Sequence, residues 1–286
     1  MHKLVIGCGY LGRRVADAWL HRGEQVTVLT RSEHRAAEFR AAGIEPVVGD
    51  VTILASLAGL PAADTVLYAV GFDRSSGHSQ RTIYVDGLKN VLSVLGNQLE
   101  KLIYISSTSV YGQNNGEWVD ELSLCEPRQP NGQVCLDAER VARSHNPPQH
   151  LVGPANLLRL AGLYGPGRLI RRLEEVKSSR VIPGNPDGWL NLIHVDDAVR
   201  AVLACEELGR PGRLYLVCDD KPVTRRVYYR MLASLIDAPD PQFESSANTH
   251  GLNKRCLGRR LREELQVALS YPTIETGLKQ VIHEGR

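Results

Sequence analysis

Gly7, Gly9 and Gly12 are spaced G-x-G-x-x-G in the run Gly7-Cys8-Gly9-Tyr10-Leu11-Gly12. The run follows the apolar Leu4-Val5-Ile6 and precedes a segment whose Val15, Ala16, Trp19 and Leu20 share one helical face. Three positions without side chains at a strand-to-helix turn suit the holding of a diphosphate. The first glycine permits a tight turn, the second leaves room for phosphate oxygens to approach the backbone, and the third lets the helix lie close on the strand. The free amides around Tyr10 and Leu11 then face the negative charge. Spacing and context together predict that the turn binds a dinucleotide.

The next apolar run, Val26-Thr27-Val28-Leu29, closes on Thr30-Arg31-Ser32, with no acidic residue to accept from a ribose 2′-hydroxyl. Arg31 and Ser32, joined by Arg13, offer charge-assisted hydrogen bonds to a 2′-phosphate instead, which points to NADP, with NAD as the alternative. Asp50 closes Val47-Val48-Gly49-Asp50 and suits either of two roles, accepting from the adenine amino group or capping its own loop.

Other reactive residue types carry weaker signals. His194-Val195-Asp196-Asp197 contains metal-ligand types, but neighbours at a strand-to-helix junction diverge. The expectation is a helix cap from Asp196 or Asp197, with His194 completing a hydrogen bond, and no metal. Ser107 and His194 lack the G-x-S-x-G elbow of a hydrolase pair. Arg168, Arg171 and Arg172, and in the tail Lys254, Arg255, Arg259 and Arg260, either clamp an anionic small molecule or lie on solvated helix faces, with Glu174 and Glu175 as intrahelical partners. The six cysteines form no C-x-x-C pair and read as reduced thiols, which favours a cytoplasmic protein.

Positioning these residues calls for a sheet. Strands are expected at 3–7, 25–30, 44–48, 65–70, 101–106, 156–160, 191–194 and 213–218. Helices are expected at 11–22, 33–42, 80–98, 133–145, 168–178, 195–207 and 223–236, with a short helical turn at 53–59. The alternation is that of an α/β fold, a doubly wound parallel sheet of Rossmann type. Gly112 to Gly132 reads as a long loop, and the tail from about 237 as an irregular, arginine-rich capping segment. The domain division is a dinucleotide-binding part, 1–165 with 189–218 returning to it, and a smaller substrate lobe, 166–188 and 219–286. With 286 residues, 43% hydrophobic, and a net charge of +2, the chain has the composition of a globular protein whose partner is a small molecule, not nucleic acid. No apolar run approaches the roughly 20 residues that span a bilayer, so no membrane association is expected.

Several stretches, taken in order, resemble the extended short-chain dehydrogenase/reductase superfamily, the NAD-dependent epimerase/dehydratase group, over nearly the whole chain. They are the glycine motif, Gly49-Asp50, Gly87-Leu88-Lys89-Asn90-Val91-Leu92, the run Ser106 to Gly112, the run Arg159 to Gly167, and Asn191 to Ala198. The C-terminal part, with Asn253-Lys254-Arg255 and Tyr271-Pro272, is similar to an atypical subgroup. The resemblance implies that Ser107 hydrogen-bonds the reacting carbonyl or hydroxyl, while a Tyr of a Y-x-x-x-K motif exchanges the proton beside a Lys that lowers its pKa. Counted back from Glu139, the Tyr position falls on Asn131 and the Lys position on Cys135, and no Y-x-x-x-K occurs between Gly112 and Pro154. Neither an amide nor a thiol replaces that chemistry.

Thr108-Ser109 stands where the family's dehydratases carry Asp-Glu, which argues against water elimination. Tyr84 occupies a position where the family usually has Asn, and Tyr111 and Tyr164 border the expected cleft. The implied activity is that of an oxidoreductase or epimerase acting on a sugar-nucleotide or another small carbonyl or alcohol. The alternative is a non-catalytic NADP(H)-binding sensor. Pairing of family members through flanking helices implies a homodimer.

Overall fold

The apolar run near the N-terminus forms β1 (His2–Ile6), whose Leu4, Val5 and Ile6 are fully buried, as a strand covered on both faces requires. The computed structural model describes residues 1–96, 98–144, 155–168, 170–244 and 253–284. After β1 come α1 (Tyr10–His21), β2 (Gln25–Thr30), α2 (Glu33–Ala41), β3 (Glu45–Val48), β4 (Ala63–Tyr68), α3 (Gly87–Leu95) and β5 (Leu99–Ser107). The middle of the chain supplies β6 (Glu117–Val119), α4 (Pro130–Ser144), β7 (Asn156–Leu160), β8 (Gly162–Tyr164), α5 (Ile170–Lys177), β9 (Trp189–Leu190) and β10 (Leu192–His194). The remainder forms α6 (Val195–Leu208), β11 (Leu214–Val217), β12 (Val223–Thr224), α7 (Arg225–Leu235), β13 (Lys254–Cys256), α8 (Arg259–Glu263) and α9 (Ile274–Glu284).

Seven strands form one sheet in the order β11-β7-β5-β4-β1-β2-β3. The pairs around its middle are parallel: Val5 lies opposite Val28 and Leu67, Val28 opposite Pro46, and Val66 opposite Leu102. The chain builds outward from β1 to β3, then returns to place β4 on the other side of β1. Open α/β sheets bind ligands at such a reversal. The expected doubly wound, mostly parallel sheet is therefore observed.

The chain divides into two units. The first comprises Met1–Val110, Pro127–Arg159 and Ala201–Tyr215. Its core includes Leu4, Ile6, Val66, Leu88, Leu92, Leu102 and Leu157. Lys3 is also wholly buried there and pairs with Glu206, which accepts further bonds from Trp19 Nε1 at 2.6 Å and Thr65 Oγ1 at 2.9 Å. A charge buried this deeply persists because it is paired and hydrogen-bonded. The second unit comprises Tyr111–Glu126, Leu160–Arg200 and Leu216–Arg286, and its core gathers Tyr164, Val176, Tyr228, Tyr229, Leu232, Ile274 and Leu278.

Most expected elements lie within a few residues of their observed bounds; residue 145 of one expected helix and residue 169 of another lie outside the described residues. Three expectations need correction. The helix expected over 80–98 starts at Gln80 but is not regular, passing through a π-helical turn, Thr82–Asp86, before it continues as α3 to Leu95, and its residue 97 lies outside the described residues. The loop of 112–132 contains β6, and α4 begins at Pro130. The described tail is not irregular from Lys254 onward: it forms β13, α8 and α9, and in α9 Ile274, Leu278, Val281 and Ile282 recur at helical spacing and are buried; residues 245–252 and 285–286 lie outside the described residues.

Candidate functional site

The turn after β1 takes its shape from what its glycines lack. Gly7 has φ +95°, and a Cβ there would come within 2.5 Å of the Ala69 carbonyl carbon. A Cβ on Gly12 would sit 2.3 Å from Gly7 O, so α1 could not lie this close to β1 with any other residue. Gly9 differs, because nothing lies within 4 Å of where its Cβ would be. It is also the N-cap of α1 and supplies no side chain to the helix amides, and the first turn of α1 carries no acidic residue. Open space, free amides and the positive end of a helix make this a fitting cradle for a diphosphate.

Around this turn the arginines are held rather than free. Arg13 bonds Asp17 through Nε at 2.8 Å and lies 5.3 Å from the Phe39 ring. Arg31 pairs with Asp73 at 2.9 Å, with both side chains about half exposed, and the Ser75 hydroxyl together with Arg31 holds the Asp73 carboxyl down at about 2. Ser32 caps α2 by accepting from Arg35 N at 3.3 Å, which leaves its own hydroxyl proton available to donate. Thr30 closes β2 and is buried. Arg35, which the sequence reading did not single out, donates to Cys8 O at 2.6 Å and flanks Phe39 at 5.1 Å. It sits in the first turn of α2, whereas Arg31 precedes the N-cap Ser32, so no helical periodicity linked the two in the sequence. Asp50 Oδ1 accepts from Thr52 N and Thr52 Oγ1, each at 2.8 Å, the loop-capping geometry of an Asx turn.

At the end of β5, Ser107 Oγ accepts from Ser109 N at 3.1 Å. Behind it lies a buried ion pair. Arg159 Nε and Nη2 reach Glu139 Oε1 and Oε2 at 2.8 and 2.7 Å, and Ser106 Oγ donates to Glu139 Oε1 at 2.5 Å. One carboxylate thus ties β5, α4 and β7 together, with a bidentate geometry that fixes direction as well as distance. On the same helix Asn131 is exposed in the first turn, while Cys135 is buried. Burial pushes the Cys135 thiol up, against a smaller pull from the Ser109 hydroxyl beside it. Tyr84, on the π-helical turn, is half-buried, and burial raises its phenol.

The remaining candidates serve the fold. Tyr111 Oη donates to Asp120 O at 2.8 Å. Tyr164 is buried edge-on to His194, with ring centroids 5.1 Å apart. Asp197 does not use its oxygens as expected of a helix cap. They accept from Ser270 N and Tyr271 N, both at 2.8 Å, which anchors the segment before α9. His194 Nδ1 meets the Asp196 amide at 3.3 Å, and its Nε2 faces Gln280 at 3.1 Å. Among the described residues no three His, Cys, Asp or Glu side chains come together to hold a metal, and no helix is long and apolar enough to cross a membrane.

Of the tail cations, Arg259 and Arg260 lie on helix α8, Arg259 exposed and Arg260 paired with Glu264, whereas Lys254 and Arg255 are not on a helix face. Lys254 is buried in β13 and donates to Tyr111 O at 3.1 Å, while the Arg255 guanidinium lies 4.7 Å from the Trp118 ring and 5.1 Å from that of Trp189. In α5 the intrahelical pair forms as expected, with Arg172 bonding Glu175 at 2.9 Å.

Residues 4–218 match the NAD dependent epimerase/dehydratase family. Protein YeeZ of Escherichia coli (strain K12) is 30% identical over 278 residues, covering 94% of this chain and 95% of its own. A 4-hydroxy-2-methyl-3-oxo-4-farnesyl-3,4-dihydroquinoline-1-oxide ketoreductase of Stigmatella aurantiaca is 23% identical over 234 residues, covering 79% of this chain and 70% of its own. The crystal structure of dTDP-glucose 4,6-dehydratase from Bacillus anthracis in complex with NAD superposes with a TM-score of 0.83 at 16% identity, covering 99% of this chain and 96% of that one, a likeness of fold. With its sheet order, its glycine turn and a match that runs over three quarters of its length, the chain belongs to the NAD dependent epimerase/dehydratase family.

Proposed function

We propose that the chain binds NADP(H) at the turn Gly7–Gly12 and catalyses hydride transfer to or from a small carbonyl or alcohol compound, sugar-nucleotides included. The observation that carries this reading is the open space at Gly9 beside the uncapped amides of α1, in a member of an NAD-dependent family. When bound, the dinucleotide would supply or accept the hydride. Gly7, Gly9, Tyr10, Leu11 and Gly12 would hold its diphosphate. Thr30, Arg31, Ser32 and Arg13 would take the 2′-phosphate, for which Arg31 would exchange Asp73 for a more highly charged partner. Asp50 would meet the adenine. Ser107 would orient the reacting oxygen, held in place by the Glu139–Arg159 pair behind it.

In this reading the family's Tyr–Lys dyad is degenerate, with Asn131 and Cys135 at its positions, so proton transfer falls to another group. The ketoreductase relative favours carbonyl reduction over epimerisation. Substrate binding by 166–188 and 219–286, a homodimer and a cytoplasmic location belong to the same proposal. A screen of carbonyl compounds and sugar-nucleotides with NADPH, read by loss of dihydronicotinamide absorbance, tests it. Turnover that falls with Ser107→Ala supports it, and cofactor binding without turnover of any compound overturns the enzymatic part. That second outcome would leave the sensor reading, which the buried, uncharged Cys135 thiol favours.

A further inference from the structure

Any group that protonates a reacting oxygen at Ser107 must sit near the end of β5. Three segments meet there within the first unit: the turn after β5, helix α4, and the π-helical turn ahead of α3. Ser109 N donates to Ser107 Oγ at 3.1 Å, the Ser109 hydroxyl lies beside the Cys135 thiol, and that thiol is in turn an electrostatic neighbour of the Tyr84 phenol. Helix α4, which carries Cys135, packs both on the turn after β5 and on the π-helical turn that carries Tyr84, so Ser107, Ser109, Cys135 and Tyr84 share one neighbourhood. Within it Ser109 Oγ is buried with only the weakly accepting Cys135 sulfur beside it, a polar atom that an incoming ligand group or water would satisfy better.

Tyr84 is presented by the turn Thr82–Asp86, where the Gly87 amide reaches back five residues to Thr82 O. Such wide turns inside α-helices are frequent at functional sites. The other two phenols nearby are committed to the core: Tyr68 is fully buried and donates to Ile83 O, and Tyr104 stacks on it with centroids 5.7 Å apart. Tyr84 alone of the three is partly exposed.

Resting on the hydride-transfer reading above, we infer that Tyr84 is the proton donor of this site and that its substrate is a carbonyl compound undergoing reduction. The carbonyl carbon gains the hydride supplied by NADPH, the C=O π pair moves to oxygen, and that oxygen takes the Tyr84 proton to give the alcohol. The phenolate recovers a proton from solvent, and NADP is released. The Gln80 side chain and the Phe72 backbone contact the phenol and ease that brief ionisation. Burial raises the Tyr84 phenol above its ordinary value, so the group stays protonated at neutral pH and is suited to donating rather than abstracting. The titratable groups that face it are Cys135 of α4, Tyr68 of β4 and Tyr104 of β5, all raised by burial.

The test uses the full chain, NADPH and a panel of aldehydes and ketones, with kcat, KM and the NADPH-induced thermal shift measured for wild type and Tyr84→Phe. The expected result is a kcat lower by about 10²–10⁴-fold with KM and thermal shift essentially unchanged. Because the phenylalanine could disturb the turn, a second variant carries 3-fluorotyrosine at position 84, which preserves the packing and makes the phenol more acidic. The alkaline limb of its kcat profile should move to lower pH. A Tyr84→Phe protein with wild-type kcat, or a limb that stays in place, overturns the inference and leaves the hydride-transfer reading standing. A wild type that binds NADPH but reduces nothing overturns both.

Discussion

At the turn after β1 the backbone does all the positioning, with Gly12 lying against Gly7 O and Gly9 facing open space; at the end of β5 Ser107 depends on side chains from three elements, Ser106, Glu139 and Arg159. The first arrangement is set by steric exclusion, within six residues at Gly12 and against the Ala69 backbone at Gly7. The second is assembled from positions up to 53 residues apart and set by a buried charge pair. Under the function proposed above, the contrast accounts for a glycine turn that keeps its pattern beside a side-chain site that departs from it. A phosphate cradle made of amides loses its shape with any added side chain. A site built of side chains can exchange them, provided the frame beneath survives, and the Glu139–Arg159 frame is formed here; in the function proposed above, Asn131 and Cys135 stand at the dyad positions over that frame.

Breaking the frame should produce the largest effect. Arg159→Leu strips Glu139 of both its nitrogen partners in a site where the two side chains are 2% and 5% exposed. A stability loss of about 3–5 kcal/mol in urea unfolding is expected. A loss below about 1 kcal/mol would mean that the ion pair does not hold the β5 end. Next in size is Gly12→Ala, whose Cβ meets a backbone oxygen and should cost about 1–3 kcal/mol, with dinucleotide affinity falling as α1 is displaced. Gly9→Ala sharpens the comparison from the other side. With nothing near the added methyl group, the melting temperature should stay within a degree or two while dinucleotide affinity still drops. Equal losses of stability in the two alanine variants would contradict the roles given to these glycines.

The last comparison sets the ion-paired Glu139 against a buried carboxyl without a cationic hydrogen-bond partner in the second unit. Asp219 is 3% exposed, and burial pushes it up to about 8 against a smaller pull from the Lys221 amide. The unfolded chain releases this proton near 3.8, whereas the folded chain keeps it to about 8. Between those values the unfolded state binds fewer protons, so this group makes stability fall as pH rises, by roughly 1 kcal/mol per pH unit. Asp219→Asn should flatten that slope between pH 5 and 8 in thermal unfolding, and an unchanged slope would show that the carboxyl is ionised and partnered in solution.

Much of this architecture was legible in the sequence. Apolar runs such as Leu4-Val5-Ile6 are dictated by burial on both faces of a parallel sheet, and the helix behind the glycine turn followed from Val15, Ala16 and Trp19, all now buried, with Leu20 half-buried. The strands that escaped notice, β6, β8, β9, β12 and β13, have two or three residues each, too few to show a period. Lys3 and Glu206 are 203 positions apart, and nothing in either neighbourhood says that a lysine inside an apolar strand has a partner waiting. Asp197 was expected to act locally, yet its partners are more than 70 residues away. At the candidate site the glycines could be placed from spacing alone. Arg35, and the neighbourhood shared by Ser107 and Tyr84, became apparent only once α2 and α4 had been placed, because side-chain sites are set by tertiary neighbours rather than by local pattern.

The central claim is that the amides opening α1 grip a dinucleotide's diphosphate. Calorimetric titration of NADP, NADPH, NAD and NADH into the wild-type and Gly9→Ala proteins tests it most directly. The account predicts binding to the wild type, tighter for the two 2′-phosphorylated forms, and a marked weakening of all four in the variant. Absence of heat with all four nucleotides, or undiminished affinity in Gly9→Ala, would contradict it.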